Sequence, residues 1–268
     1  MKISLHIILV SILLAGGWNQ KKGHGFFKYE LRYLSAKKFY TSTGETIPIT
    51  TVTSFSNALY GEYGLSDDIT LIATIPFQSI LLNRTKSSLG TSITDGGKNT
   101  GLGDISVGIR YGLSQKGQTV YAAFTQIDLP TGDGSHALGL YTGDDETNVR
   151  VGLELGHSSG DMYLTASGGY NFRSKDFFNE ALFTLELGHW FGKSILSAVK
   201  LRGVYPSGTL GTGGFNQAFQ QSEYTAYTLE ANYFVTKEIG VSLAYDSAFA
   251  VKNNFATPVY SFGVFYKL

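Results

Sequence analysis

Tyr260-Ser261-Phe262-Gly263-Val264-Phe265-Tyr266-Lys267-Leu268 closes the chain and alternates strictly. Tyr260, Phe262, Val264, Tyr266 and Leu268 fall on one face, and Ser261, Gly263, Phe265 and Lys267 on the other. A side-chain period of two belongs to a β-strand whose faces meet different surroundings. The same pattern appears in the strand before it. Ile239, Val241, Leu243 and Tyr245 oppose Gly240, Ser242, Ala244 and Asp246. Further back, Val149, Val151, Leu153 and Leu155 oppose Arg150, Gly152, Glu154 and Gly156.

A soluble sandwich also alternates, so the connections decide. Short turns near 66–68, 114–117, 158–161, 192–193 and 236–238 alternate with longer polar loops near 38–50, 83–103, 131–147 and 207–222. Two smaller members of the second set lie near 174–178 and 252–257. Short turns at one end and long loops at the other are the rhythm of a transmembrane barrel. The fold class expected is all-β, an antiparallel up-and-down transmembrane β-barrel of about a dozen strands. The strands fall at 25–36, 53–65, 69–82, 104–113, 118–130, 148–157, 162–173, 180–191, 195–206, 223–235, 239–251 and 258–268. An even count puts both termini on the periplasmic side. Strands 69–82 and 118–130 alternate poorly, and their facing stays open. The final strand is expected to be read by the barrel-assembly machinery. It ends on Leu268 where Phe is common.

Composition agrees. Charged residues make up 16% of the 268 residues, 21 basic against 21 acidic, which argues against nucleic-acid binding. There is no cysteine, hence no disulfide framework, lipid-anchoring thiol or thiolate metal site. Glycine (33), Phe (18) and Tyr (17) are abundant. A barrel uses them for a curved wall and for aromatic girdles at the two membrane interfaces.

The first residues form a targeting segment. Lys2 supplies a positive charge, Ile3 to Leu14 is mostly apolar, and Ala15-Gly16-Gly17 offers small residues for cleavage. Residues 1–17 are expected to be a signal peptide for Sec export, and 18–268 the mature outer-membrane barrel of a Gram-negative bacterium. The apolar run is shorter than the roughly 20 residues a spanning helix needs. Strands must then do the spanning.

Three stretches carry a family resemblance. They are Ile75-Pro76-Phe77, Gly-Leu-Gly-Asp at 101–104 opening the strand to Leu113, and Asp-Leu-Pro-Thr-Gly-Asp at 128–133. Together they resemble the outer-membrane transporter-like barrels labelled putative MetA pathway of phenol degradation. That group is similar to long-chain fatty-acid and aromatic-hydrocarbon channels. The resemblance implies a passive channel for small, often hydrophobic molecules. Fatty-acid channels carry a plug of several tens of residues. Here Trp18 to His24 precede the first strand, a segment expected to be too short to plug a lumen. That argues against diffusion through a lateral wall opening.

The alternation directs Lys28, Arg32, Arg110, Arg150, Arg173, Lys200, Arg202 and Lys267 inward, with Glu30, Glu62, Asp104, Glu154, Glu186, Glu230 and Asp246. Asp128 joins them less clearly. Two readings stay open. The charges pair and hold the wall rigid, or some face a wet constriction and select solutes.

Catalytic and cofactor chemistry is not expected. His189 and Ser197 face outward as neighbours across the Gly192-Lys193 turn, yet a lipid hydrolase needs its pair near the other leaflet. His157-Ser158-Ser159 sits at a turn of the same end. Asp133, His136, Asp144, Asp145 and Glu146 cluster in one loop, but match no calcium-loop spacing and read as solvated acid. Gly208 to Gly214 lacks the Lys and helix of a phosphate loop. The function expected is a passive outer-membrane channel for small molecules, its solute unnamed. The alternatives are a structural or adhesive barrel with a closed lumen, and a membrane-embedded lipid hydrolase. The partners expected are outer-membrane lipid, the assembly machinery and a small-molecule solute.

Overall fold

The computed structural model describes residues 5–6, 16–86, 92–175, 177–208 and 221–268. Its long strands are β1 (Gly25–Tyr40), β2 (Thr46–Ser66), β3 (Ile69–Leu82), β4 (Ile105–Ser114), β5 (Thr119–Leu129) and β6 (Asn148–Ser159). They continue as β7 (Met162–Arg173), β8 (Glu180–Phe191), β9 (Ile195–Pro206), β10 (Glu223–Phe234), β11 (Ile239–Lys252) and β12 (Val259–Lys267). Each pairs antiparallel with its sequence neighbour, and β12 pairs with β1 to close the barrel. Closure leaves no edge, so backbone groups are satisfied by neighbouring strands, as a bilayer requires.

The outward face is apolar. Tyr260, Phe262, Val264 and Tyr266 are 42–53% exposed, while Ser261 and Phe265 between them are 7% and 3% exposed. Leu59, Leu153, Leu185, Leu229 and Leu243 continue the belt. In water this would be an aggregation surface; lipid is the solvent it fits.

Three departures from the sequence reading have physical causes. The β1–β2 hairpin runs on as strand to Tyr40 and from Thr46, so most of the loop expected at 38–50 is β-structure. A register shift between Ala36 and Lys38 lets both strands continue. Second, β3 has two partners. Its first half pairs with β4 and its second half with the separate strand Gly97–Leu102. Gly103 and Asp104 mark the break between them. Third, β3 and β5 do alternate, but apolar residues also line their inner face. Ile80 and Leu82 point inward on β3, and Val120 and Phe124 on β5. Both strands are covered from inside, which hides the period.

The segment 1–17, expected to be a signal peptide, and the glycine-rich stretch 208–214 lie largely outside the described residues.

Candidate functional site in the barrel lumen

The lumen holds three layers. A belt of ion pairs crosses the middle. A segment before β1 enters from the turn end, and the β5–β6 loop enters from the loop end.

In the belt, β1 contributes Lys28, Glu30 and Arg32 and β9 contributes Lys200 and Arg202, inward positions two residues apart. Lys28 Nζ lies 2.6 Å from Glu30 and 3.2 Å from Glu230. Lys200 Nζ lies 2.7 Å from Glu230 and 3.3 Å from Glu186. Arg202 reaches Asp246 at 2.8 Å, and Arg32 reaches the same carboxylate at 3.5 Å. Arg150 pairs with Asp128, which therefore faces inward. Arg110 sits between Glu154 at 2.5 Å and Glu62 at 3.1 Å. Tyr60 and Tyr163 add hydroxyl donors to Glu62 and Glu186. Burying these charges singly would be costly; linked into a net, each has a counter-charge.

The segment before β1, expected to be too short to plug the lumen, nevertheless lies inside it. Gln115 donates to Gly17 O at 2.5 Å, and its Oε1 accepts from Asn19 N at 2.9 Å. Arg110 donates to Trp18 O at 3.3 Å. Gln20 N donates to Thr70 Oγ1 and Gln20 Nε2 to Glu62, at 2.9 and 2.8 Å. The Trp18 ring meets Tyr163 edge-on at 6.2 Å and lies over Gly156. A Cβ on Gly156 would fall 2.7 Å from the indole, so glycine makes the seat.

At the other end, the three resemblance stretches meet. Gly103 N donates to Pro76 O at 2.9 Å. Thr131 Oγ1 donates to Gly103 O at 2.7 Å and accepts from Ile105 N at 3.0 Å. Asp104 accepts from Gly132 N and Asp144 N, both at 2.9 Å. Gly143 packs against the same carboxylate so closely that a Cβ would collide with it. This knot ties down both ends of the loop between Leu129 and Asn148. Between its ends the loop turns inward. Leu140 is fully buried against Val52, Ile80 and Leu82, and Gln78 donates to Thr142 O at 2.8 Å. A second apolar cluster, Tyr224, Ala226 and Val251, lines the wall on β10 and β11.

The loop acids are therefore not all solvated, which corrects the sequence reading. Glu146 is 1% exposed. Arg173 gathers Glu146, Glu180 at 3.0 Å and Asp144 at 3.2 Å. Burial pushes Glu146 up to about 8, against the pull of Arg173. Burial likewise raises Asp104 to about 6, opposed by its two backbone donors. Asp133 is held below the usual carboxylate range, chiefly by the backbone N–H of Ser135.

Trp18, Gln20, Tyr60, Leu140, Asp144 and Glu146 were not among the lumen residues read from the sequence. Tyr60 shares the inward face of β2 with Glu62 and could have been read there, but strand alternation cannot place the others, which lie in connections. The signal available was the apolar inner face of β3 and β5. His189 and Ser197 are register partners on the lipid side, with the imidazole edge-on to Phe191 at 4.6 Å. Among the described residues, no group of three or more His, Asp or Glu is placed to hold a metal.

The family model described as "Putative MetA-pathway of phenol degradation" matches residues 36–262. Among solved structures, the chain is similar to the COG4313 outer membrane channel from Pseudomonas putida F1. The TM-score is 0.75 and the identity 16%, over 94% of this chain and 97% of that one. It is also similar to the NanC porin, with TM-score 0.56 and 11% identity over 91% and 100% of the two chains. For the KdgM porin in complex with disordered oligogalacturonate the values are 0.53 and 9%, over 91% and 98%. No curated protein matches.

Proposed function

Since the chain belongs to the family described as Putative MetA-pathway of phenol degradation, we propose that it is a passive outer-membrane channel for small molecules with an apolar or aromatic body. The observation that carries this reading is the division of the lumen. Apolar side chains around Leu140 and Tyr224 form buried clusters at the loop end, above a charged belt, and a solute that parts the β5–β6 loop from the wall meets them first. A solute with an apolar body gains by leaving water at the first layer. The paired charges below present a polar zone that it crosses without meeting an unpaired, strongly hydrated ion.

On this reading residues 1–17 are removed on export, the turn end faces the periplasm, and the C-terminal strand engages the assembly machinery. Planar-bilayer conductance together with liposome uptake of toluene and of glucose tests the function. Ion steps with faster entry of toluene than of glucose support it. Neither conductance nor uptake overturns it. That outcome favours a structural barrel with a closed lumen, a reading that the two inward-folded segments support.

A further inference from the structure

From the belt itself toward the turn end, the lumen holds a chamber of about 220 Å³, lined by the belt's charged residues on one side. Its floor is aromatic. Phe26 and Phe265 have ring centroids 5.8 Å apart, and Phe265 and Phe234 are 4.9 Å apart, edge-on. Leu196 and Asn232 complete this part of the wall.

One cation there differs from the rest. Lys28, Arg32, Lys200 and Arg202, which line the same chamber, each have a carboxylate within 4 Å. Lys267 has none among the described residues. Its Nζ instead lies 4.5 Å from the centre of the Phe234 ring, a cation–π contact. The five basic residues of the chamber face four acids, Glu30, Glu186, Glu230 and Asp246, so the surplus positive charge falls to Lys267. Asn232 Nδ2 makes only a long contact, 3.5 Å to Leu196 O, and can turn to a better acceptor.

We propose that this chamber is a binding subsite for a small organic anion, a carboxylate carried on a flat apolar ring. The carboxylate meets Lys267 Nζ and the Asn232 amide, and the ring lies against Phe234, which Phe265 backs edge-on. The volume exceeds the roughly 150 Å³ that admits benzene in an apolar cavity. Offset and edge-on ring contacts suit the angles already present in the floor. The subsite deepens the channel reading and rests on it for its biological use.

The test uses the full barrel in non-ionic detergent. Binding of para-fluorobenzoate and of its neutral counterpart, para-fluorobenzyl alcohol, is followed by fluorine NMR, with folding checked by heat-modifiable mobility. Wild-type protein should bind the acid more tightly than the alcohol. Lys267→Gln should weaken the acid about tenfold or more, the usual worth of a charge-assisted hydrogen bond, and leave the alcohol unchanged. Phe234→Leu should weaken both. Equal affinity for the two probes, no binding of the acid, or unchanged acid binding in Lys267→Gln overturns the subsite. Bilayer conductance of the same preparation separates the two readings. Conductance without acid binding removes the subsite alone, and acid binding with neither conductance nor toluene uptake removes the channel alone.

Discussion

Arg110 and Glu154 meet inside the barrel, Nε to Oε2 at 2.5 Å, although their strands β4 and β6 are separated by β5. The bond spans a strand because both side chains point into the lumen. Glu62 takes a second nitrogen of the same guanidinium at 3.1 Å. Arg110→Ala leaves two carboxylates buried without a cation. We expect a loss of about 3–5 kcal/mol, measured by urea unfolding in detergent. Arg110→Met combined with Glu62→Gln and Glu154→Gln should recover most of it. Equal losses in the single and triple variants would count against the ion-pair account.

Asp104 holds the β5–β6 loop through the backbone N–H groups of Gly132 and Asp144. Asp104→Ala removes both charge-assisted hydrogen bonds, each worth about 1.5–3 kcal/mol. The loop should leave the lumen. Limited proteolysis should then cut within 130–147 in the variant and spare the wild type. Resistance equal to wild type would show that Leu140 and Gln78 suffice to dock it.

The same loop should respond to pH. Asp104 is raised to about 6 and Glu146 to about 8, in both cases mainly by burial. A raised carboxyl pKa means that the docked state holds a proton that the released loop gives up. Docking is then strongest below the ordinary carboxyl range and weakens as pH rises through 6 and through 8. Protease cleavage at 130–147 should increase from pH 5 to pH 9. Glu146→Gln should flatten the upper part of that rise. Cleavage that falls with pH contradicts the sign.

The strands could be read in the sequence because lipid and lumen impose opposite demands on alternate residues. Lys28, Glu30 and Arg32 on β1 show this as clearly as the last strand. What could not be read was the filling of the lumen. Ile80 and Leu82 made β3 look unpatterned because Leu140, far away in sequence, supplies them with an apolar partner. Glu146 read as solvated acid because nothing local says that its loop turns inward. The three resemblance stretches were visible as motifs. Their meeting at Pro76, Gly103 and Thr131 depends on backbone hydrogen bonds that no side-chain pattern reports.

The last strand makes a prediction about assembly. Tyr266 and Leu268 are 43% and 51% exposed on the lipid side. Replacing both with Asp places charge against lipid or its interface, at a cost of up to a few kcal/mol near the midplane and less at the rim. Yield of heat-modifiable barrel in membranes should collapse. Normal yield would remove this edge from the assembly signal.

Charge exchange at Lys200 and Arg202 separates a structural lumen from a selective one. Lys200 lies against Glu230 and Glu186, and Arg202 against Asp246. Lys200→Glu with Arg202→Glu therefore sets two carboxylates against three and makes the lumen four units more negative. Buried like charges without counter-ions should block assembly, since breaking one such pair already costs about 3–5 kcal/mol. Adding Glu230→Lys and Asp246→Lys returns the net charge to its original value and exchanges the partners. That variant should assemble better than the double Glu variant but less well than wild type, because the new lysines face Lys28 and Arg32. Its folded fraction should keep ion selectivity close to wild type, because the field in a narrow low-dielectric lumen follows net fixed charge. Lys200→Gln with Arg202→Gln removes two positive charges and creates none. Enough of it should fold to measure, and reversal potentials in a salt gradient should shift toward cations. A folded double Gln variant with unchanged reversal potential would show that these residues brace the wall and that ions pass elsewhere.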